Sequence, residues 1–305
     1  MSIIERAVRR LKPAEAEEAP RAAEILQESR PAPAIPPTQD ARREEEPNQR
    51  AVPLPRSAST TESPSDSIDL AGLEQAGMIV PDGKRTQVSE EFRVIKRTLL
   101  QNAKRRDPAA APSANLIVVT SAFPDEGKTF SAINLAISMS LELDHSVLLV
   151  DADVAQPRRG DFLGLRPGKG LMDLLLDPGL SLKDTVIRTN VERLDVLLAG
   201  PPHRQANEIL ASESMSRLLD ELAAQGPDRI VIFDAPPLLV TTEAGTLAHR
   251  AGQVVLVVEA GKTTQSALKS ALAQLEGCRV FGLLNKSTRG LNQDVYGYSR
   301  YRYGE

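Results

Sequence analysis

The stretch LIVVTSAFPDEGKTFSAINLA, residues 116 to 136, decides the fold. It reads in order as a buried strand, a tight loop and the start of a helix, with Gly127, Lys128 and Thr129 at the turn. A loop that enters a helix N-terminus presents free backbone N–H groups and the positive end of the helix dipole to phosphates. A lysine there can reach the β and γ phosphates, and a threonine hydroxyl can bind Mg²⁺. The stretch therefore predicts a P-loop nucleotide site that includes Gly127, Lys128, Thr129 and Phe130.

The loop departs from the strict pattern GxxxxGK[ST] in one place. The position of its first glycine is occupied by Ala122, and Asp125 adds a carboxylate where a small residue would accept phosphate more easily. On this motif alone, a chance GKT at a helix start stays an alternative interpretation. Two further motifs argue against it.

Two buried strands are predicted to end in acids, in the motifs LLVDAD (residues 148 to 153) and IVIFDAPP (residues 230 to 237). Ligands of parallel sheets bind at the carboxyl ends of the strands, so Asp151, Asp153 and Asp234 should meet at the loop. A single aspartate after a strand is usually a turn former. Three of them beside a GKT loop predict a Mg²⁺ site. We expect Thr129 to bind the metal directly and Asp234 to bind it through water, with Asp151 or Asp153 as a metal ligand or as acceptor of the substrate proton.

Further apolar runs separated by helical stretches predict a doubly wound, mainly parallel α/β sheet of the P-loop NTPase type. Most of these runs are unbroken rather than alternating, which is typical of strands covered on both faces. The predicted strands are 116 to 120, 147 to 150, 194 to 198, 230 to 233, 254 to 258 and 280 to 284. A preceding helix is predicted from Ser89, as its N-cap, to Ala103.

The chain divides by composition into three parts. Half of its 22 prolines lie at or before Pro81, and no aromatic residue precedes Phe92, so residues 1–85 are predicted to be a disordered linker. Residues 2–11 could form a short amphipathic docking helix, or merely a helix that frays in water. Residues 86–290 are predicted to be the nucleotide-binding domain, and residues 291–305 a flexible tail.

Charge and cysteine content narrow the function classes. The net charge of -4 gives no broad electrostatic footprint for nucleic acid, so no nucleic-acid partner is expected. A single cysteine excludes internal disulfides and, with three histidines, argues against a zinc or iron–sulfur site. No apolar stretch reaches the roughly 20 residues that span a bilayer, so we expect a cytoplasmic protein.

The tail contains every tyrosine of the chain: Tyr296, Tyr298, Tyr301 and Tyr303. Tyrosines that serve a core or an interface would be scattered over the domain. A cluster on a glycine-containing tail instead favours hydroxyls delivered to another subunit's active site, although an aromatic segment that folds against a partner stays an alternative.

Together these motifs resemble the bacterial tyrosine kinases of capsule and exopolysaccharide synthesis, particularly the separate cytoplasmic autokinases associated with exosortase loci. The resemblance runs from about Ser89 to the C-terminus. It rests on the GKT loop with Pro124, on LLVDAD, on IVIFDAPP and on the tyrosine-rich tail. Weaker marks are SEEFRVIKRTLL (residues 89 to 100), which is similar to the oligomerisation helix of the family, and AGPPHRQANEILAS (residues 199 to 212).

The resemblance implies an ATP- and Mg²⁺-dependent autokinase that phosphorylates its tail tyrosines between subunits. It implies a homo-oligomer assembled through Glu90 and Arg93, and an adenine contact from Asn285. It also implies a membrane-embedded activator protein of polysaccharide chain length or export, a tyrosine phosphatase, and recruitment to the inner face of the plasma membrane. Two positions depart from the family pattern: Lys96 stands where an arginine is usual, and Ala155 replaces the arginine of DxDxR.

Two other functions stay open at this point. A partitioning or division-site ATPase would share the broad fold, but the lysine that reaches across its dimer would fall at Phe123. An ATP-gated scaffold of a polysaccharide machine, without kinase chemistry, is compatible with the same motifs.

Overall fold

Within the residues that the structure describes, seven strands form one sheet, and only the third strand along the chain is antiparallel to its neighbour. The structure is a computed structural model that describes residues 64–104, 113–154 and 163–287. These residues belong to one unit, Thr61–Glu305. The predicted doubly wound, mainly parallel α/β fold is confirmed.

The strands are β1 (Leu116–Ser121), β2 (Ser146–Asp151), β3 (Ile187–Arg188), β4 (Leu194–Leu197), β5 (Arg229–Asp234), β6 (Gln253–Glu259) and β7 (Val280–Asn285). Their order in the sheet is β3-β4-β2-β5-β1-β6-β7. The helices of the described residues are α1 (Leu70–Gln75), α2 (Gln87–Lys104), α3 (Lys128–Ser140), α4 (Leu171–Leu176), α5 (Leu182–Thr185), α6 (Ala206–Leu210), α7 (Glu213–Ala223), α8 (Glu243–Arg250) and α9 (Gln265–Gln274). None of these helices is long and apolar enough to cross a membrane.

Strand β1 lies inside the sheet and is buried along its whole length. Its side chains alternate between two hydrophobic cores, one on each face of the sheet. Ile117 and Val119 pack into the core that contains α2 and α3, whereas Leu116 and Val118 pack into the core that contains α7 and α8. Because both faces are covered, the strand reads as the unbroken apolar run seen in the sequence.

Helix α2 begins earlier than its sequence predicts. The predicted N-cap Ser89 lies within the first turn, and the helix starts at Gln87. Thr86 takes the capping role, since its hydroxyl oxygen accepts the N–H of Ser89 at 3.1 Å and its own N–H donates to the Ser89 hydroxyl at 3.0 Å. The two side chains therefore satisfy each other's backbone groups.

The predicted start of the folded domain at residue 86 is wrong. Residues from 64 onward already pack on the sheet, with Ile68, Leu73, Met78 and Ile79 buried in its core. The N–H of Ile79 donates to the side chain of Asn134 in α3 at 2.8 Å. The proline-rich composition of the region concealed four apolar residues, which are enough to anchor this short segment.

Three predicted features lie outside the described residues. They are the possible helix at residues 2–11, the segment with Ala155, and the tyrosine tail at residues 291–305.

The packing of residues 64–85 generates a stability prediction. A chain that begins at residue 86 should unfold at a lower temperature than one that begins at residue 61, because it loses four buried side chains. Within the full chain, Leu73→Ala should lower the free energy of unfolding by about 2–5 kcal/mol. The control Leu143→Ala, at a side chain that is 83% exposed, should change it by less than about 0.5 kcal/mol. Denaturant titration measures both, and equal effects would contradict the packing described here.

Candidate nucleotide site

The loop between β1 and α3 ends in a backbone conformation that only glycine adopts easily. Gly127 is the N-cap of α3 with a φ of 97°, and no side chain caps the helix. A Cβ at this position would lie 1.9 Å from the amide nitrogen of Asn285. The glycine thus serves both the turn and a close approach, and the start of α3 stays open to an anionic group.

Lys128, the first residue of α3, points to the acidic strand end of β2. Its Nζ donates to Oδ2 of Asp153 at 3.0 Å, and the two side chains are only 8% and 6% exposed. Asp153 in turn is oriented by its own N–H, which donates to Oδ1 of Asp151 at 3.1 Å. The lysine that the sequence assigns to phosphate therefore pairs with a carboxylate that the sequence assigns to catalysis.

Asp151 and Asp234 lie opposite each other in the register of β2 and β5. Together with Thr129 they line a cavity of about 20 Å³, whose other walls are apolar. Such a volume holds about one water-sized particle. Among the described residues, no group of three or more His, Cys, Asp or Glu is placed to hold a metal by itself. Mg²⁺ needs less, because one or two carboxylates with a hydroxyl, waters and substrate phosphates complete its shell, and these side chains fit that requirement.

Glu126 is a site residue that the sequence interpretation missed. It is 2% exposed, although it lies in the phosphate loop next to Gly127. Its Oε2 accepts the N–H of Phe123 at 2.9 Å, and its Oε1 accepts the hydroxyl of Thr263, which follows β6. The only sequence signal was an acid directly before GKT, and nothing in the sequence pointed to Thr263.

The end of β7 holds the same loop from another side. The side-chain amide of Asn285 donates to the carbonyl oxygen of Glu126 at 2.9 Å, and Nζ of Lys286 donates to the carbonyl oxygen of Asp125 at 2.5 Å. Asp125 itself has a φ of 64°, a left-handed conformation that is unfavourable for a residue with a Cβ. Side chains from β7 therefore stabilise a loop whose own backbone is strained.

Phe130 uses its ring for packing. The ring lies edge-to-face on Phe92 of α2, with centroids 6.3 Å apart. A contact between Phe130 and a nucleotide would therefore come from its backbone N–H.

Glu90 and Arg93 lie on the exposed face of α2 and form an ion pair with each other at 3.0 Å. Lys96, one turn further along, is turned inward. Its Nζ donates to the carbonyl oxygen of Ser138 at 2.6 Å and pairs with the carboxylate of Glu142 at 2.7 Å. The hydrogen bond from Lys96 to Glu142 holds the pKa of Glu142 below its usual value. Glu90 and Arg93 are thus available to a neighbouring subunit, whereas Lys96 fastens α2 to α3.

The chain is similar to bacterial tyrosine-protein kinases over most of its length, although no model of a protein family matches it. It is 30% identical to the tyrosine-protein kinase YwqD of Bacillus subtilis over 226 residues, and this matched region covers 73% of the chain and 91% of YwqD. It is 28% identical to the succinoglycan biosynthesis transport protein ExoP of Rhizobium meliloti over 246 residues, and this matched region covers 77% of the chain and 30% of ExoP. The crystal structure of the chimerical protein CapA2B2 superposes with a TM-score of 0.60 at 28% identity, covering 75% of this chain and 96% of that one. On this similarity, the chain belongs to the family of bacterial tyrosine-protein kinases.

Proposed function

We propose that this protein transfers the γ-phosphoryl group of ATP to the tyrosine cluster at the C-terminus of another copy of itself. The observation that carries the proposal is the convergence of Lys128, Asp151, Asp153 and Asp234 on the phosphate loop in a chain of the tyrosine-kinase family. All four tyrosines of the sequence lie in its last ten residues. The reaction forms a bond between a tyrosine oxygen and phosphorus and breaks the bond from phosphorus to ADP.

Exchange of partners at Lys128 gives the site its chemistry. Triphosphate offers the lysine a stronger anionic partner than Asp153, so Nζ can turn to the phosphates and stabilise the charge of the transferring group. The buried carboxylate of Asp153, which loses this one ion pair, is then suited to accept the proton of the tyrosine hydroxyl. Nucleotide binding would in this way prepare the base for the reaction.

Thr129, Asp151 and Asp234 are the residues proposed to hold Mg²⁺, the hydroxyl directly and Asp234 through water. When bound, the metal supplies positive charge that neutralises the phosphate oxygens. The acidic strand ends of β2 and β5 then balance the charge of the metal rather than repel the nucleotide.

Asn285 is proposed to contact the adenine. Its amide nitrogen donates one N–H to the carbonyl oxygen of Glu126, which orients the side chain, and its oxygen is proposed to accept a hydrogen bond from the base. A carbonyl oxygen accepts the amino group that adenine carries and guanine lacks at the equivalent position.

The exposed pair Glu90 and Arg93 is proposed to assemble the homo-oligomer in which one tail reaches a neighbour's site. By its likeness to a succinoglycan biosynthesis transport protein, the kinase is proposed to act in exopolysaccharide synthesis or export. A membrane-embedded activator would recruit it to the inner face of the plasma membrane, and a tyrosine phosphatase would reverse the modification.

The kinase function is better supported than an ATPase switch of the partitioning type. The loop position of the lysine that reaches across such dimers is Phe123, whose N–H is used inside the loop by Glu126. The family relationship also favours the kinase over an inactive scaffold. Phosphotyrosine detected by mass spectrometry after incubation of the full chain with ATP and Mg²⁺ would test the proposal, and its absence would refute it.

Lys128→Met should reduce phosphotyrosine formation by at least about a hundredfold, because it removes a charge from the transferring phosphate. It also removes a buried ion pair with Asp153, so the protein should be less stable. Lys128→Arg retains the charge and separates the two effects, since it should preserve the fold and still lose most transfer. The control Lys183→Met, at an exposed lysine, should match the wild type. Unchanged phosphotyrosine in both Lys128 variants would contradict the site.

Asp125→Asn should tighten ATP binding several-fold, because it removes a negative charge from the phosphate loop while keeping a residue that tolerates a positive φ. Asp125→Gly should tighten binding similarly and in addition raise the thermal stability, since it relieves the left-handed conformation. Isothermal titration at two salt concentrations measures the effect, which should shrink at high salt. Asp144→Asn, at a side chain that is 81% exposed, serves as the control. Weaker binding by Asp125→Asn would show that the carboxylate has a positive role.

Transfer between subunits can be tested by mixing two defective proteins. One carries Lys128→Arg and an intact tail. The other has an intact site but carries Tyr296→Phe, Tyr298→Phe, Tyr301→Phe and Tyr303→Phe. Phosphate should appear only on the tail of the Lys128→Arg protein, and a further Arg93→Glu substitution in both proteins should lower its rate by weakening assembly. If the wild type forms phosphotyrosine but the mixture forms none, the phosphate is transferred within one chain.

A further inference from the structure

A single hydroxyl joins the turn after β6 to the phosphate loop. Oγ1 of Thr263 accepts the N–H of Glu259 at 3.0 Å and donates to Oε1 of Glu126. The backbone N–H of Glu259 can only donate, and the carboxylate of Glu126 can only accept. The hydroxyl of Thr263 must therefore accept from Glu259 and donate its hydrogen to Glu126. Thr263 is therefore held in place from one side and holds Glu126 from the other.

Glu126 distributes this constraint within the loop. Its second oxygen accepts the N–H of Phe123 at 2.9 Å, so one carboxylate joins two positions of the same loop and the turn after β6. The side chain is 2% exposed and carries charge close to the place where the phosphates bind. A buried carboxylate needs hydrogen-bond donors to remain there, and Thr263 provides one of the two that the structure shows.

The turn that carries Thr263 is itself anchored. Ammonium groups of Lys262 and Lys286 lie 3.3 and 3.2 Å from the carboxylate of Glu259. Burial alone would raise the pKa of Glu259, but its hydrogen bonds to Lys286 and Lys262 lower it. Lys286 also donates to the carbonyl oxygen of Asp125. The turn after β6 and the phosphate loop are thus tied at two neighbouring points.

We propose that Thr263 is a positioning residue for phosphoryl transfer, acting through Glu126 to hold the phosphate loop in the shape that accepts a nucleotide. Without the hydroxyl, Glu126 loses a donor and is free to turn toward the phosphates, where its charge repels them. The loss should therefore be felt as weaker nucleotide binding. This inference rests on the proposed use of ATP at the same loop, but it is tested by binding and not by transfer.

The test compares Thr263→Val, which keeps the shape and removes the hydroxyl, with Thr263→Ser, which keeps the hydroxyl. Isothermal titration of the full chain with ADP and Mg²⁺ should give a Kd about tenfold higher for Thr263→Val, the value expected for a lost hydrogen bond to a charged group. Thr263→Ser should stay within about twofold of the wild type. Thr246→Val, on an exposed turn of α8, is the matched control.

A second substitution shows whether Thr263 acts through Glu126. In a Glu126→Ala protein, Thr263→Val should change the Kd little, because the hydroxyl then has no carboxylate to position and two residues on one path are not additive. A Thr263→Val protein with wild-type Kd would overturn the proposal. So would a Thr263→Ser protein as weak as Thr263→Val, or the same fold-change in both Glu126 backgrounds.

Two outcomes keep the inference separate from the proposed function. Wild-type chain that binds ADP but forms no phosphotyrosine would refute the kinase proposal and leave the role of Thr263 standing. Phosphotyrosine formation by the wild type, with an unchanged Kd in Thr263→Val, would support the kinase proposal and refute the role of Thr263. If Thr263→Val does not fold, Thr263→Ala takes its place, and an unchanged Kd in that variant also refutes the proposal.

Discussion

The parallel pairing of β1 with both β5 and β6 is the constraint on which the nucleotide site depends. Because each edge of β1 is hydrogen bonded and each face is buried, a shift of one residue would move its side chains to the wrong core. The end of β1 is therefore fixed, and the phosphate loop starts at a defined point of the sheet. The register of β2 and β5 then sets Asp151 opposite Asp234 beside that point. The cores thus determine the position of the charged groups.

Burial of those charged groups bears on the exchange of partners proposed for Lys128. An ion pair as buried as Lys128 and Asp153 contributes little net stability, since its desolvation offsets its attraction. Removing one partner of such a pair costs more than the pair contributes. A triphosphate that takes Lys128 therefore has to offset the loss of this one interaction of Asp153. The metal that accompanies the nucleotide, or the proton of a tyrosine hydroxyl, can do so.

The sequence predicts those parts of the molecule whose physics is local. Buried parallel strands are unbroken apolar runs, so the sequence predicts six of the seven strands of the described residues. Strand β3 is two residues long and lies at the sheet edge, where no such run forms. Composition averaged over residues 1–85 hides Leu73 and its buried neighbours, so it places the start of the domain too late. The GKT motif and the acidic strand ends mark the site, because their chemistry requires fixed residue types. Thr263 carries no such mark, since it meets Glu126 across 137 residues and any hydroxyl at that place would look like a turn residue.

The phosphate loop depends for its shape on contacts from outside its own segment. Asp125 is in a conformation that favours glycine, and Glu126 buries a charge beside an anion site, so the loop sequence alone opposes the arrangement that it adopts. The opposing terms are offset by donors from the ends of β6 and β7, namely Thr263, Asn285 and Lys286. Asn285 ends β7, and Thr263 and Lys286 follow β6 and β7 closely. Because the hydrophobic cores position these strands, packing elsewhere in the domain stabilises the strained loop. Since β7 ends at Asn285 and Lys286 follows it directly, the residues that hold the phosphate loop are also those from which the chain continues toward its tyrosines.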